Sequence, residues 1–235
     1  MPPSKNPAEG NKPLGIPQDV AAIRQRIRAF LNAPAANGKK VGNARWGVNA
    51  FYDYDGEPIY VGQTNEMLRS RISRHLTNQR TDAVAMNVLD PFEVAEIEVW
   101  PLWELQHNSS GDADSKAILN SAEYTVFQLV LGKSSFMAVL NEGDIPPAKL
   151  MTLPPSMRGC IIPEELYGSA NTRTCGLLAV RQPSRRLARV ISEREVSKGL
   201  RSTLKTQAER LKRLAAQRYG EISGTVPTVE PGEEV

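Results

Sequence analysis

A chain of 235 residues with 29 Lys and Arg against 26 Asp and Glu, formal net charge +3, can hold one well-cored domain with an accessory element, or two small domains. Such a mildly basic balance does not by itself announce nucleic acid. No apolar run approaches the roughly 20 residues that span a bilayer, and the start "MPPSKNPAEGNKPLG" lacks the apolar stretch of a secretory signal, so a soluble, cytoplasmic protein without a membrane partner is expected.

Residues 1–16 are rich in Pro, Gly, Asn and Lys and read as a disordered tail, because they cannot bury enough apolar surface to offset ordering. Residues 17–44 form an N-terminal helix and loop. Val20, Ile23, Ile27, Phe30 and Leu31 recur at helical spacing there, and Pro34 closes the segment.

Two strand-like runs then flank Asp55-Gly56, a dipeptide that supplies the positive φ a tight hairpin requires. The next segment, "NEMLRSRISRHLTNQ", places Met67, Leu68, Ile72 and Leu76 on one helical face and leaves Arg71, Arg74 and His75 at its border or beyond it. A third strand is expected in "FEVAEIEVWPL" through Val94, Ile97 and Val99, ended by Pro101.

After an Asp-rich start, a helix carries Ile118, Leu119, Ala122, Val126, Leu129 and Val130, with Glu123 in its middle and Gly132 as its stop. Residues 146–182 read as a loop-rich connection broken by proline pairs. It holds both cysteines, Cys160 and Cys175, whose spacing indicates neither a zinc site nor a disulfide framework. A basic helical extension follows over 183–222, and an acidic tail over 223–235 reads as disordered. From Arg181 to Arg218 the chain has twelve Lys or Arg against three Glu, so this one segment carries the basic excess.

The order of hairpin, Arg/His helix, third strand and Glu helix resembles the GIY-YIG nuclease superfamily, in particular its restriction-endonuclease-like members. The residues that carry the resemblance are Gly47-Val48-Asn49, Tyr60-Val61-Gly62, Arg71 and His75 four residues apart, Glu123 and, eighteen residues later, Asn141. It covers roughly Arg45 to Glu142. It implies an α+β fold with a small three-stranded antiparallel sheet flanked by helices, over residues 45–145.

The resemblance also implies a site. A pentacovalent phosphate gathers negative charge, which a fixed guanidinium such as Arg71 would meet, while Glu123 would ligate one Mg²⁺ or Mn²⁺ per active site. Tyr60 and His75 would position or deprotonate the attacking water. The bland readings are a solvated basic face for Arg71 and His75, an exposed helix glutamate for Glu123, a hydrogen-bonded core residue for Tyr60, and a turn cap for Asn141.

Position 49 departs from the family pattern, in which the first tripeptide ends in a tyrosine implicated in activating water. Asn49 cannot act as a base, and strand alternation turns Tyr52 and Tyr54 to the opposite side unless a bulge intervenes. The implied enzyme is therefore impaired: either a divergent nuclease that uses Tyr60, His75 or another base, or a chain weakened to trap a substrate complex.

Arg74, Asn141, Arg185, Arg186, Arg189, Lys198, Arg201 and Lys205 are the candidate DNA-backbone contacts. The basic helix reads alternatively as an oligomerisation element, and duplex cutting by a single-site nuclease calls for two protomers. The leading expectation is a metal-dependent endodeoxyribonuclease of restriction or phage-defence type. The alternative is a non-catalytic nucleic-acid-binding module in which Asn49 marks a lost activity.

Overall fold

The computed structural model describes residues 18–77, 94–135, 137, 139, 145–163 and 198–223. Its elements run in chain order α1 (Gln18–Asn32), β1 (Gly47–Tyr52), β2 (Pro58–Thr64), α2 (Leu68–Thr77), β3 (Glu96–Pro101), α3 (Ala113–Leu131), β4 (Met157–Cys160) and α4 (Lys198–Ser223). The expected disordered tail at 1–16, Cys175 and most of the acidic tail lie outside the described residues.

The hairpin forms where Asp55-Gly56 predicts it. Gly56 takes φ +76°, and Asp53 organises the turn by accepting the N–H groups of Asp55 and Glu57 on Oδ1, both at 2.9 Å. β1 then pairs antiparallel with β2 on one side and with β3 on the other.

The sheet has four strands in the order β2-β1-β3-β4, all antiparallel, rather than the three the sequence suggests. The fourth, Met157–Cys160, falls inside the segment expected to be loop. It is only four residues long, and no run of apolar alternation marks it. Its place is set instead by charge and register, since Arg158 pairs across the sheet with Glu98 and its guanidinium bonds Glu96 at 2.5 Å.

Alternation along β1 divides the core into two layers. Phe51, with Ile97 and Val99 of β3, faces Ile27 and Leu31 of α1 and Leu68 and Ile72 of α2. Val48, Ala50, Tyr52 and Trp100 face the other way, onto Leu119, Ala122, Val126 and Val130 of α3. The sheet is thus covered on both faces, and its β2 edge lies between α2 and α3.

Several side-chain expectations shift. Met67 precedes α2 and is half exposed, so Leu68 and Ile72 carry that helix's buried face, joined by a half-buried Leu76. Ile118 and Leu129 of α3 are likewise exposed. Asp112 caps α3 by accepting the Ser115 N–H at 2.9 Å.

Among the side chains described on α4, the buried ones are Thr206, Gln207 and Arg210 rather than leucines. Leu204 and Leu211 are only half-buried. Arg210 donates to Asp53 Oδ2 at 2.8 Å in a buried ion pair, so the helix is fixed by charge to the β1 end of the hairpin. Among the described residues no helix is long and apolar enough to cross a membrane.

Candidate active site at the open edge of the sheet

β2 is an edge strand, and its neighbours assemble most of the expected residues. Phe51 and Tyr60 are direct cross-strand partners whose rings stack with centroids 5.4 Å apart. One turn of α2 separates Arg71 from His75, so both reach the same strand. Arg71 Nη2 donates to the Tyr60 hydroxyl oxygen at 3.0 Å, and the His75 ring lies 5.4 Å from that of Tyr60.

Glu123 approaches from α3, on the opposite face. Its carboxylate accepts the backbone N–H of Gln63 and senses the charge of Arg71, which places it at the edge where the two faces meet. One turn earlier, Asn120 Oδ1 accepts from Gln63 Nε2 at 3.0 Å and ties the same helix to the same strand residue. Tyr60, Arg71, His75 and Glu123 therefore converge, although they come from a strand and two helices on different sides of the sheet.

The electrostatics of this group follow from its burial. Loss of solvent pushes the Glu123 carboxyl up to about 7, against the opposing pull of Arg71 and of the Gln63 N–H. Burial likewise pushes the His75 imidazole down to about 4, with Arg71 and Arg74 adding to it. His75 is consequently neutral at physiological pH, whereas Glu123 titrates there.

Asn49 is fully buried on the α2 face, paired with Gly62 on one side and Val99 on the other. Neither atom of its amide group has a hydrogen-bond partner among the described residues, and the same holds for Arg71 Nε and His75 Nε2. Buried polar atoms left unpaired cost about 1–3 kcal/mol each, so their concentration in one place marks a region not optimised for stability.

Other expected participants stand apart. Arg74 is exposed and pairs with Glu66 at 2.6 Å on the outer side of α2. Asn141, Arg185, Arg186 and Arg189 lie outside the described residues, and Lys198 and Arg201 fall in α4 with side chains outside them. Lys205 is exposed on α4.

Tyr52 lies on the α3 side, as alternation requires, and donates to Glu98 at 2.6 Å. The irregularity between Phe51 and Tyr52 does not bring it round to the side of Asn49. Tyr54, by contrast, packs against the α2-side core, because it sits in the turn where strand alternation no longer applies.

Sequence reasoning passed over Gln63 and Arg69. Nothing in the residue type distinguishes Gln63, whose contribution is a backbone N–H. Arg69 spans from Leu31 O at 3.1 Å to Asn32 Oδ1 at 2.9 Å, closing the C-terminus of α1, so one cation of this basic helix is structural.

A divalent cation was expected at Glu123. Among the described residues no three His, Cys, Asp or Glu side chains cluster into a cage. Mg²⁺ is commonly held by one or two carboxylates with water and substrate phosphate supplying the rest, and a lone half-buried carboxylate at a sheet edge fits that kind of site.

Comparison with protein-family models, with curated proteins and with solved structures finds no match.

Proposed function

We propose that this chain is a divalent-metal-dependent endodeoxyribonuclease of restriction or phage-defence type, built on a GIY-YIG-like scaffold. The observation that carries the reading is the position of Arg71, which donates to the Tyr60 hydroxyl while acting on the Glu123 carboxylate from across the sheet edge. A cation held between a phenol and a carboxylate at an open edge suits a phosphodiester whose negative charge grows during hydrolysis.

In this reading Arg71 stabilises charge on the phosphoryl oxygens, and its rigid fork does so better than an ammonium would. Glu123 would hold Mg²⁺ or Mn²⁺, which when bound polarises the phosphate and stabilises the leaving oxygen. Neutral His75 shapes the pocket beside Tyr60 without adding a competing positive charge. Lys205 and the exposed cations of α4 would follow the DNA backbone, and cutting of both strands would take two protomers.

The unpartnered amide of Asn49 favours a second reading, a DNA-binding module of the same ancestry that has lost its chemistry. A cleavage assay separates the two. Supercoiled plasmid and single-stranded DNA are incubated with the protein and Mg²⁺ or Mn²⁺, alongside Arg71→Ala and Glu123→Gln. Cleavage by the unaltered chain that both substitutions abolish supports the nuclease, and DNA retention without cleavage in any of the three supports the binder.

A further inference from the structure

Basic side chains are not confined to the C-terminal helix. From Val20 to Tyr52 the chain holds Arg24, Arg26, Arg28, Lys39, Lys40 and Arg45 and no Asp or Glu. A solvated surface normally mixes both signs, and a helix gains from an acid three or four residues away from a base. On α1 no arginine has one, and Arg24 has Arg28 at that spacing instead, a like-charge pair that is unfavourable.

Local structure does not account for these cations. The last turn of α1 carries none, and the Leu31 carbonyl at its end accepts from Arg69 of α2, so Arg26 and Arg28 are not C-caps. Both are exposed, whereas Ile27 between them is buried. The turn that follows is closed by the backbone: the Gly38 N–H donates to Ala35 O and the Ala35 N–H to Lys39 O, both at 2.8 Å, with Gly38 at φ +75°. Asn37 Oδ1 accepts the Lys39 N–H at 3.0 Å. Such a turn needs Asn37 and Gly38 but not two lysines. Lys39 and Lys40 stand exposed on it, with the Lys39 ammonium 5.5 Å from the centre of the Trp103 ring.

Two residues apart on α2, Arg69 and Arg71 leave the helix on different sides. Arg69 bonds Leu31 O and Asn32 at the end of α1, and Arg71 bonds Tyr60 on β2. A single helix, roughly 10 Å across, thus separates the end of α1 from the candidate site. A duplex carries one charge per about 1.7 Å of axis, so one that lies across α2 from the β2 edge brings several phosphates over α1 and the turn.

We propose that α1 and the turn at 35–40 form a second DNA-backbone surface, on which Arg26, Arg28, Lys39 and Lys40 hold phosphates on the far side of α2 from Arg71. This rests on DNA being the substrate, as proposed above, and it lies outside residues 45–145, over which the family resemblance implies the nuclease fold. It is also distinct from α4. Trp103, which carries Lys39, lies just beyond the Gly47–Pro101 pair at one end of β1, whereas Arg210 meets Asp53 at the other.

The test measures binding of a labelled duplex to the full chain in Ca²⁺ by fluorescence anisotropy, between about 50 and 200 mM salt. Lys39→Ala/Lys40→Ala and Arg26→Ala/Arg28→Ala should each reduce the slope of log affinity against log salt by about 1.8, two phosphates at about 0.9 each, so that affinity falls about tenfold less across that range. Lys39→Arg/Lys40→Arg should keep the original slope, because charge and not the turn's shape sets it. An unchanged slope in either alanine pair, in a chain that still binds, overturns the surface, as does an equal loss in the arginine pair. If the unaltered chain binds no duplex even at the lowest salt, the nuclease reading falls and this surface falls with it.

Discussion

Asp53 and Arg210 are 157 residues apart in the chain and meet at 2.8 Å with both side chains almost wholly buried. Burial raises the Asp53 carboxyl above the usual range, and Arg210 opposes that shift most strongly. Arg210→Met should leave an unpaired buried carboxylate and destabilise the protein by about 3–5 kcal/mol. Urea denaturation at neutral pH measures this; a loss below about 1 kcal/mol would mean that α4 is not anchored through this pair.

The same anchor changes how the basic helix is to be tested. Removing everything after Gln182 would also strip Asp53 of its partner, so loss of DNA binding could reflect a damaged hairpin. Lys205→Ala and Lys212→Ala leave the pair intact, since both lysines are exposed. If α4 tracks phosphates, each should reduce the slope of log affinity against log salt by about 0.9. An unchanged slope in both would remove α4 from the DNA interface.

Glu123 makes stability depend on pH in a definite sense. Its folded-state value of about 7 exceeds the ordinary 4.5, so its contribution is fully present below about 4.5 and is lost as pH rises through 7. Glu123→Gln should match the unaltered chain at pH 5 and exceed it at pH 8, by roughly 2 kcal/mol once partial solvent access is allowed for. Added Mg²⁺ should narrow that gap by stabilising only the unaltered chain. Equal melting curves at both pH values would show that the carboxylate is well solvated.

His75 acts with the opposite sign. A folded value of about 4 against 6.5 means that its stabilisation is present above 6.5 and disappears as pH falls toward 4. The imidazole resonances of His75 should titrate near 4 by NMR. A midpoint near 6.5 would place the ring in solvent and dissolve its packing against Tyr60.

If the chain is the proposed nuclease, Arg71→Ala should lower cleavage by about 100-fold with only a modest loss of DNA affinity, because the charge would matter chiefly in the transition state. Arg71→Lys should recover little, as an ammonium cannot reproduce the guanidinium fork that holds Tyr60. Should affinity fall as steeply as rate, Arg71 is a binding residue.

The hairpin, α2, β3 and α3 were legible because each has a local signal: Asp55-Gly56 at the turn, Leu68 and Ile72 at helical spacing, Ile97 and Val99 ahead of Pro101, and the Asp-rich start of α3. The convergence of Tyr60, Arg71, His75 and Glu123 was legible only through order along the chain, since no local signal says that helices on opposite faces meet at one strand edge. β4 escaped because a four-residue strand held by Arg158 and Glu96 has no apolar period. The role of Arg210 escaped for the converse reason: in a run of cations, nothing in sequence distinguishes the one that turns inward to Asp53.

An edge strand presents unpaired N–H groups, and these invite a strand from another molecule to extend the sheet. On β2 the Gln63 N–H is instead taken by the Glu123 carboxylate of α3. That contact removes one donor that an incoming strand would otherwise use. If Glu123 holds the metal as proposed, Glu123→Ala would therefore uncover an edge donor as well as empty the metal site.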